Sequence, residues 1–341
     1  MVSANFNGMK HPRLLITLGD IAGIGPEIVA KAWPKLFDLA HPIVVGDPVA
    51  MRQALQLVNS PVTLQVITDV NDATPDIDTL PLLAATTRDL SGVKPGVISA
   101  QAGGAAYDFL VKAIELTQAG QAAGIVTCPL HKEGLHAAGV DFPGHTEILA
   151  AKTGAKTHAM LLYDDTLPLA VAHVTLHMAL RETFALITVQ SVLEKIRLLH
   201  ELLPKLIGHP ARIGVAALNP HASDGGLFGR EEETIIAPAV EAANAEGINA
   251  AGPWPADAIF LPHNRVKFDG IVTMYHDQGH IAMKLLGGRR AVNITAGLPI
   301  VRTSVAHGTA YDIAGKGVAD ESSLIAAVRV AARLAAGRTT S

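Results

Sequence analysis

The chain has 341 residues, of which 49% are hydrophobic, 17% charged and only 4% aromatic. A chain with so many apolar and so few charged residues is not a disordered protein. At this length we expect it to fold around a large core in two domains. The net charge of −4 gives no basic surface for nucleic acid, and the few aromatic side chains offer bases little to stack on.

Cys128 is the single cysteine, so an internal disulfide is excluded and any metal must be bound by histidine and carboxylate side chains. Met1 to Pro12 is polar and lacks the apolar region of a signal peptide. No stretch reaches the roughly 18 apolar residues of a membrane span. We therefore expect a cytoplasmic protein with neither nucleic acid nor a membrane as partner.

Short apolar or β-branched runs alternate with segments of helical period, which predicts an α/β fold with parallel strands joined by helices. Several runs are apolar at every position, as in strands covered by helices on both faces. The predicted strands are Leu14 to Leu18, Ile43 to Gly46, Gly124 to Thr127, Met160 to Tyr163, Leu169 to His173, Arg212 to Ala217 and Gly270 to Met274. The predicted helices are Pro26 to Leu36, Ala100 to Gln118, Gln190 to Leu206, Glu231 to Ala245 and Ser322 to Ala335.

No linker marks a clean domain boundary, which favours interleaved domains with the chain crossing twice. We place the crossings near Leu130 and Ile294. One domain then comprises residues 1–130 plus 295–341, and the other comprises residues 131–294.

The first motif is the glycine-rich turn from Gly19 to Glu27, which follows a strand and opens a helix. It contains Gly23 and Gly25 but lacks the third small residue of a Rossmann fingerprint. The motif is either a tight turn with Pro26 at the first helical position or a backbone segment that lines a substrate cleft.

Three histidines each follow a predicted strand: His177, His221 and His276. Ligands of open α/β sheets bind at the carboxyl ends of strands, so these side chains could converge on one point. Three neutral imidazoles suit a divalent metal and leave positions open for substrate oxygens. His173 is expected to lie within its strand, and His280 one helical turn after His276 could face solvent.

A second group of side chains suits an anion. Helix N-terminal amides together with lysine and arginine form a cradle for phosphate or carboxylate, although a single lysine or arginine is as often a solvated surface charge. The candidates are His145 and Thr146 at a predicted helix start, with Lys284, Asn293 and Arg302 near the His276 segment.

These motifs together resemble the 4-hydroxythreonine-4-phosphate dehydrogenase family over nearly the whole chain. The signatures are Gly144-His145-Thr146-Glu147, Leu218-Asn219-Pro220-His221, Tyr275-His276-Asp277-Gln278-Gly279 and Val292-Asn293-Ile294-Thr295. The resemblance implies metal binding by His177, His221 and His276, and substrate binding by His145, Thr146, Lys284, Asn293 and Arg302.

The resemblance also implies a fold like the isocitrate and isopropylmalate dehydrogenases, with the active site in the cleft between two interleaved α/β/α domains. It implies NAD, a divalent metal (zinc, magnesium, cobalt, manganese and nickel are not distinguished), a role in pyridoxine biosynthesis and a homodimer with shared active sites. The domain of residues 1–130 and 295–341 would lie on the cofactor side, and residues 131–294 would carry the metal, substrate and dimer contacts. The loop from His307 to Gly317 is similar to the stretch that receives the NAD adenosine, through His307, Gly308, Thr309 and Asp312.

The implied reaction oxidises a phosphorylated hydroxy acid to a β-keto acid that decarboxylates. Asp257, Asp277 and His145 are the candidates for removing the hydroxyl proton. Ile21 stands where the family usually has proline, and the His173 to His177 and His280 segments look more like relatives that act on D-threonate or D-erythronate 4-phosphate or on a terephthalate dihydrodiol. Outside the dehydrogenases, a metal-dependent hydrolase or aldolase, or a non-catalytic anion-binding protein, would also use such residues.

Overall fold

The computed structural model describes residues 11–287 and 290–337. Of the Met1 to Pro12 segment considered above, residues 1–10 lie outside the described ranges. The strands are β1 (Arg13–Thr17), β2 (His41–Gly46), β3 (Thr63–Ile67), β4 (Thr79–Ala84), β5 (Gly124–Thr127), β6 (Ala159–Asp164), β7 (Leu169–His173), β8 (Ile213–Ala216), β9 (Ala250–Trp254), β10 (Gly270–Thr273), β11 (Val292–Ala296) and β12 (Val301–Val305).

The five predicted helices are found close to their predicted positions, together with shorter helices that were not predicted. They are α1 (Gly25–Leu36), α2 (Pro48–Leu57), α3 (Ala100–Gln118), α4 (Lys132–Ala137), α5 (His145–Thr153), α6 (Leu180–Thr183), α7 (Val189–Leu202), α8 (Pro204–Ile207), α9 (Ala237–Ala245), α10 (Ala256–Ile259), α11 (Pro262–Arg265), α12 (His276–Gly287) and α13 (Ser322–Ala336). Within the described ranges, no helix has both the length and the apolar character needed to cross a membrane.

Two predicted helices are interrupted. The segment predicted as Gln190 to Leu206 divides between α7 and α8 at Pro204, which has no backbone N–H to continue the hydrogen-bond ladder. The segment predicted as Glu231 to Ala245 begins with a π-helical turn, Glu232–Ile236, before α9. Such turns are frequent at functional sites.

The first compact unit contains the described residues up to Lys156 and from Leu298 onward. Its strands lie in the order β3-β4-β2-β1-β5-β12, and every pair is parallel. The α1 side chain Trp33 and the α3 side chain Phe109 are fully buried in this unit. Helix α3 begins after Ser99, whose hydroxyl accepts the N–H of Ala102 at 3.1 Å, as an N-cap does.

The second compact unit spans Thr157–Gly297, with strands in the order β11-β6-β7-β10-β8-β9. Strands β7, β10, β8 and β9 are parallel, but β6 runs antiparallel to both β7 and β11. The prediction of parallel strands is therefore wrong at β6. The link from β6 to β7 is a tight turn in which Asp164 Oδ1 accepts the N–H of Thr166 at 2.8 Å, and so short a link allows only an antiparallel pair.

The chain leaves the first unit after Lys156 and returns to it at Leu298, whereas the sequence placed these crossings near Leu130 and Ile294. Helices α4 and α5 pack on α3, which keeps residues 131–156 in the first unit. The contact between α3 and α4 is close because neither Gly103 nor Gly134 carries a side chain: a Cβ on Gly103 would lie 2.1 Å from the Gly134 carbonyl carbon. His145 and Thr146 therefore belong to the same unit as Arg302.

Candidate functional site

The three histidines predicted at strand ends follow three adjacent strands of the second unit. His177 follows β7, His276 follows β10 as the first residue of α12, and His221 follows β8. Strands β7, β10 and β8 are neighbours and parallel, so their carboxyl ends share one edge of the sheet. The predicted placement at strand ends is confirmed.

The histidines are not all close together within one chain. The imidazole centroids of His177 and His276 are 5.6 Å apart, whereas His221 has the Phe228 ring as its neighbour, at 6.3 Å. Across residues 11–287 and 290–337, no group of three or more histidine, cysteine, aspartate or glutamate side chains is close enough to hold a metal ion. A single copy of the chain does not assemble the predicted centre.

The His276 ring is oriented by its neighbours. Its Nδ1 lies 2.6 Å from Asp277 Oδ1, and a carboxylate can only accept, so Nδ1 carries the proton and Nε2 is the atom that can bind a metal. The His280 ring stacks on His276 at 3.8 Å, and His280 Nδ1 lies 3.1 Å from Nε2 of His173, the last residue of β7. His280 therefore contacts other histidines, whereas the sequence left open that it faced solvent.

Burial keeps the inner histidines neutral. Burial, with a contribution from the His280 charge, lowers the pKa of His173 to about 3. Burial and the neighbouring His276 lower the pKa of His280 to about 4. A neutral imidazole is the form that binds a metal, so neither His173 nor His280 is a cation at pH 7 that would repel one.

Arg302 and His145 of the predicted anion site lie near one another in the first unit. Arg302, in β12, is only 2% exposed and donates from Nη2 to Thr127 Oγ1 at 2.7 Å. Burial lowers the pKa of Arg302 to about 9, opposed by the negative charge of Glu147. Burial and the positive charge of Arg302 hold the pKa of His145 well below its ordinary value. Arg302 is therefore not the surface charge that the sequence allowed, and Thr127 is a contact that the sequence did not indicate.

The other predicted anion residues differ in exposure. Thr146 is partly buried at the start of α5 beside His145, while Lys284 is exposed on α12. Asn293, in β11, has a buried Oδ1 with no hydrogen-bond partner in the described part of the chain. A buried amide oxygen without a partner is unusual, and it suits a ligand that donates a hydrogen bond.

The predicted cofactor loop is held against the glycine-rich turn in the first unit. The backbone N–H of Ile24 donates to the Thr309 carbonyl oxygen at 3.0 Å, and a Cβ on Gly23 would lie 2.8 Å from that oxygen. Tyr311 donates to Asp20 Oδ2 at 2.8 Å. The glycine pattern thus serves close backbone packing, and residues 311–317 of the loop form turns and bends.

The end of this loop is fixed by one ion pair. Glu27 accepts the N–H of Ala319 at 2.7 Å and the N–H of Gly317 at 3.2 Å, and Lys31 donates to both of their carbonyl oxygens. Gly308 and Asp312 are exposed, whereas His307 is partly buried.

The candidates for proton transfer are in different situations. Asp277 is engaged with His276, as described, and 70% of its side chain is exposed. Asp257 is exposed in the first turn of α10. His145 is partly buried beside Arg302. Asp257 and Asp277 belong to the second unit and His145 to the first.

The His221 segment contains a contact that the sequence analysis missed. Glu232, the first residue of the π-helical turn, accepts backbone N–H groups of Leu218 and Asn219 at 2.8 and 2.7 Å. These hydrogen bonds lower the Glu232 pKa although burial raises it. The only signal in the sequence was the run of three glutamates after the His221 motif.

The chain matches known proteins along most of its length. The family described as pyridoxal phosphate biosynthetic protein PdxA matches residues 38–331. A 4-hydroxythreonine-4-phosphate dehydrogenase of Beijerinckia indica is 47% identical over 327 residues, which cover 96% of this chain and 96% of that protein. A D-threonate 4-phosphate dehydrogenase of Bordetella bronchiseptica is 44% identical, with 96% of this chain and 94% of that protein covered.

A solved structure agrees with these matches. The crystal structure of a 4-hydroxythreonine-4-phosphate dehydrogenase from Klebsiella pneumoniae superposes with a TM-score of 0.86 at 40% identity, covering 95% of this chain and 99% of that one. The α/β class and the resemblance inferred from sequence motifs are both confirmed. The chain belongs to the pyridoxal phosphate biosynthetic protein PdxA family.

Proposed function

We propose that this chain uses NAD and a divalent metal to oxidise a phosphorylated hydroxy acid of the 4-hydroxythreonine 4-phosphate type to a β-keto acid, which then loses carbon dioxide. The chain is a dehydrogenase like its relatives, and the observation that carries the substrate is the 47% identity over nearly full length to a protein of that name. D-threonate 4-phosphate is the second candidate substrate, because a dehydrogenase of that name is 44% identical.

The two substrates share a phosphate and a secondary hydroxyl group. Arg302, His145 and Thr146 would bind the anionic groups from the first unit, and Lys284 and Asn293 would bind them from the second. The buried Arg302 supports this proposal, because a guanidinium removed from water interacts more strongly with an anionic ligand than an exposed one does.

The metal proposal depends on imidazole nitrogens. Because Asp277 contacts Nδ1 of His276, Nε2 is the His276 atom that can bind a metal. The His177 ring lies beside the His276 ring. His177, His221 and His276 would hold the ion, with at least one of them contributed by a second copy of the chain. This donor set fits a divalent ion, which when bound would lower the pKa of the substrate hydroxyl.

The proton of that hydroxyl needs an acceptor from the protein. Asp277 orients His276, so Asp257 and His145 are the better candidates. His145 is neutral at pH 7 because of its lowered pKa and can accept or donate a hydrogen bond. Asp257→Asn should lower kcat with little change in KM if Asp257 is the base. His145→Gln should raise KM through the lost anion contact, and it should also lower kcat if His145 is the base.

NAD would be held partly by His307, Gly308, Thr309 and Asp312. The exposed Asp312 carboxylate would repel the 2′-phosphate of NADP, and Lys316 is the only cation in the loop. We therefore expect a higher kcat/KM with NAD than with NADP. A preference for NADP would contradict the proposed role of the loop.

The deciding assay follows NADH formation with 4-hydroxythreonine 4-phosphate, D-threonate 4-phosphate and an unphosphorylated dihydrodiol acid, each with and without added metal. We expect metal-dependent turnover of a phosphorylated substrate. A higher kcat/KM for the dihydrodiol acid would mean that the phosphate is wrongly assigned. Cleavage of these compounds without NADH formation would instead indicate a hydrolase or aldolase.

Sharing of active sites between two copies can be tested with inactive variants. His177→Ala, His221→Ala and His276→Ala should each abolish metal-dependent turnover while leaving the fold intact. Mixing two inactive variants regenerates one intact site per mixed dimer only when the two histidines come from different copies. We expect at least one of the three pairwise mixtures to regain activity. Failure of all three, in mixtures shown to exchange subunits, would place the site within one chain.

A further inference from the structure

The turn that carries His221 has an unusual backbone. His221, Ala222, Ser223 and Asp224 have φ values of 54°, 52°, 73° and 45°, so four successive residues other than glycine are left-handed. Residues with a Cβ adopt this conformation singly rather than in runs. Such a run persists only where surrounding contacts hold it, and strained segments of this kind concentrate at functional sites.

Glu232 supplies contacts on the strand side of this turn. Its side chain is 3% exposed. Its Oε1 accepts the backbone N–H groups of Leu218 and Asn219 at 2.8 and 2.7 Å, and its Oε2 accepts from Asn219 Nδ2 at 2.9 Å. One buried carboxylate therefore fixes the two residues through which the chain enters the turn.

Further contacts join the turn to the residues just before Glu232. The Ser223 hydroxyl donates to the Gly229 carbonyl oxygen, and Asn219 Nδ2 also donates to Glu231 Oε2 at 2.8 Å. Gly229 has a φ of 126°, which residues with a side chain rarely adopt, and a Cβ there would lie 2.5 Å from that Glu231 oxygen and 2.7 Å from Asn219 Nδ2. Both sides of the turn therefore contact residues 229–232, which lead into the π-helical turn.

The role of Glu232 is not that of an ion-pair partner. Among the salt bridges of residues 11–287 and 290–337, none includes Glu232, whereas the neighbouring Glu233 pairs with Arg230 at 3.0 Å. The named acceptor contacts of the Glu232 carboxylate all go to the segment that leads into His221. Its position is thus explained by the conformation of that segment.

We propose that Glu232 is a positioning residue for His221: it fixes Leu218 and Asn219 and thereby holds the left-handed turn that presents the His221 imidazole to a divalent metal. This inference rests on the proposed function in one respect, that His221 binds the metal. It assigns to Glu232 no contact with metal, substrate or cofactor.

Two substitutions remove different parts of this contact set. Glu232→Met has a similar length and removes every acceptor. Glu232→Gln retains one oxygen for the two backbone N–H groups but places an NH₂ group against Asn219 Nδ2. The matched control is Glu233→Gln, which removes the same charge one residue along, where 67% of the side chain is exposed.

Co²⁺ binding to metal-free full-length protein is measured by calorimetry and by the visible absorption of the bound ion. Loss of a residue that orients a metal ligand costs roughly 10–100-fold in affinity. We expect a loss in this range for Glu232→Met, a smaller loss for Glu232→Gln and none for Glu233→Gln. Excess Co²⁺ should restore kcat in Glu232→Met, which it would not do if the variant were simply misfolded.

Hydrogen exchange provides the readout that is independent of metal. Amides of residues 218–224 should exchange faster in Glu232→Met without metal, while the core strands β7 and β10 stay protected. Wild-type Co²⁺ affinity in a folded Glu232→Met would overturn the inference, as would weakened affinity with unchanged exchange in residues 218–224. If Glu232→Met does not fold, Glu232→Gln decides by the same two measurements. Absence of Co²⁺ binding by the wild-type protein would instead contradict the proposed metal-dependent function.

Discussion

Arg302 gives the sharpest prediction about both activity and stability. Methionine is similar in length to arginine but uncharged, so replacing Arg302 in β12 by Met removes a buried cation. A charge-assisted hydrogen bond to a phosphate contributes about 1.5–3 kcal/mol, and a tenfold change in affinity corresponds to about 1.4 kcal/mol. Losing one such contact should therefore raise KM for a phosphorylated substrate by roughly 10-fold to 150-fold.

The same substitution should weaken substrate binding without lowering the free energy of unfolding. Burial lowers the pKa of Arg302 to about 9 from an ordinary value of 12.5. At 1.36 kcal/mol per pKa unit, holding the charged form in the folded protein costs about 5 kcal/mol as an upper bound. At pH 7 the guanidinium is protonated both folded and unfolded, so this cost applies in full and fades only above pH 9. Losing the charge-assisted hydrogen bond to Thr127 costs about 1.5–3 kcal/mol, which is less than this bound, so Arg302→Met should be at least as stable as the wild type.

The assay combines steady-state kinetics with urea unfolding at pH 7. Arg302→Lys keeps the charge but not the planar fork of donors, and its KM should lie between those of the wild type and Arg302→Met. Arg52→Met, which removes an exposed arginine of α2 in the same unit, is the control and should change neither quantity. A KM within threefold of the wild type, or a clear loss of stability in Arg302→Met, would refute the reasoning.

Other groups of the first unit give further tests. Burial raises the pKa of Asp20 above its ordinary value of 3.8, so ionising this carboxyl in the folded protein costs stability above the raised pKa and nothing below 3.8. Asp20→Asn should therefore be more stable than the wild type at pH 8 in urea titrations, and the difference should shrink as the pH falls toward 3.8. Gly23→Ala places a Cβ 2.8 Å from the Thr309 carbonyl oxygen and should raise KM for NAD about tenfold, whereas Gly92→Ala, where a Cβ meets nothing within 4 Å, should not. Asp312→Asn should bring kcat/KM for NADP closer to kcat/KM for NAD. An unchanged ratio would argue against a contact between Asp312 and the 2′-position of the cofactor ribose.

The positions of seven strands were predictable because apolar runs mark buried strands, whereas β3, β4, β9, β11 and β12 were not predicted. The bounds of β5 and β7 agree with the prediction at both ends. Strand direction was not predictable from apolar runs, because burial of β6 is the same whether it runs parallel or antiparallel to β7. The short link at Asp164 to Thr166 was the relevant signal, since parallel neighbours need a longer connection.

The placement of the candidate histidines after strands was also predictable, but the surroundings of the candidate residues were not. His177, His221 and His276 follow strands as expected, because strand ends can be located from local sequence. Whether Arg302 is buried depends on β5 and α5, which are distant in sequence. The Glu232 contact with Leu218 depends on the path of an irregular loop, which no local pattern encodes.

The division of the chain also constrains the order of folding during synthesis. Residues 157–297 form one unbroken stretch, so the second unit can begin to fold while the ribosome is still adding later residues. The first unit cannot be finished then, because β12 pairs with β5 and supplies Arg302 from a segment made after the second unit. Until β12 emerges, one edge of β5 has unpaired backbone groups and is open to wrong pairing. The nascent chain therefore acquires its buried arginine, and with it the proposed anion site, among the last steps of its synthesis.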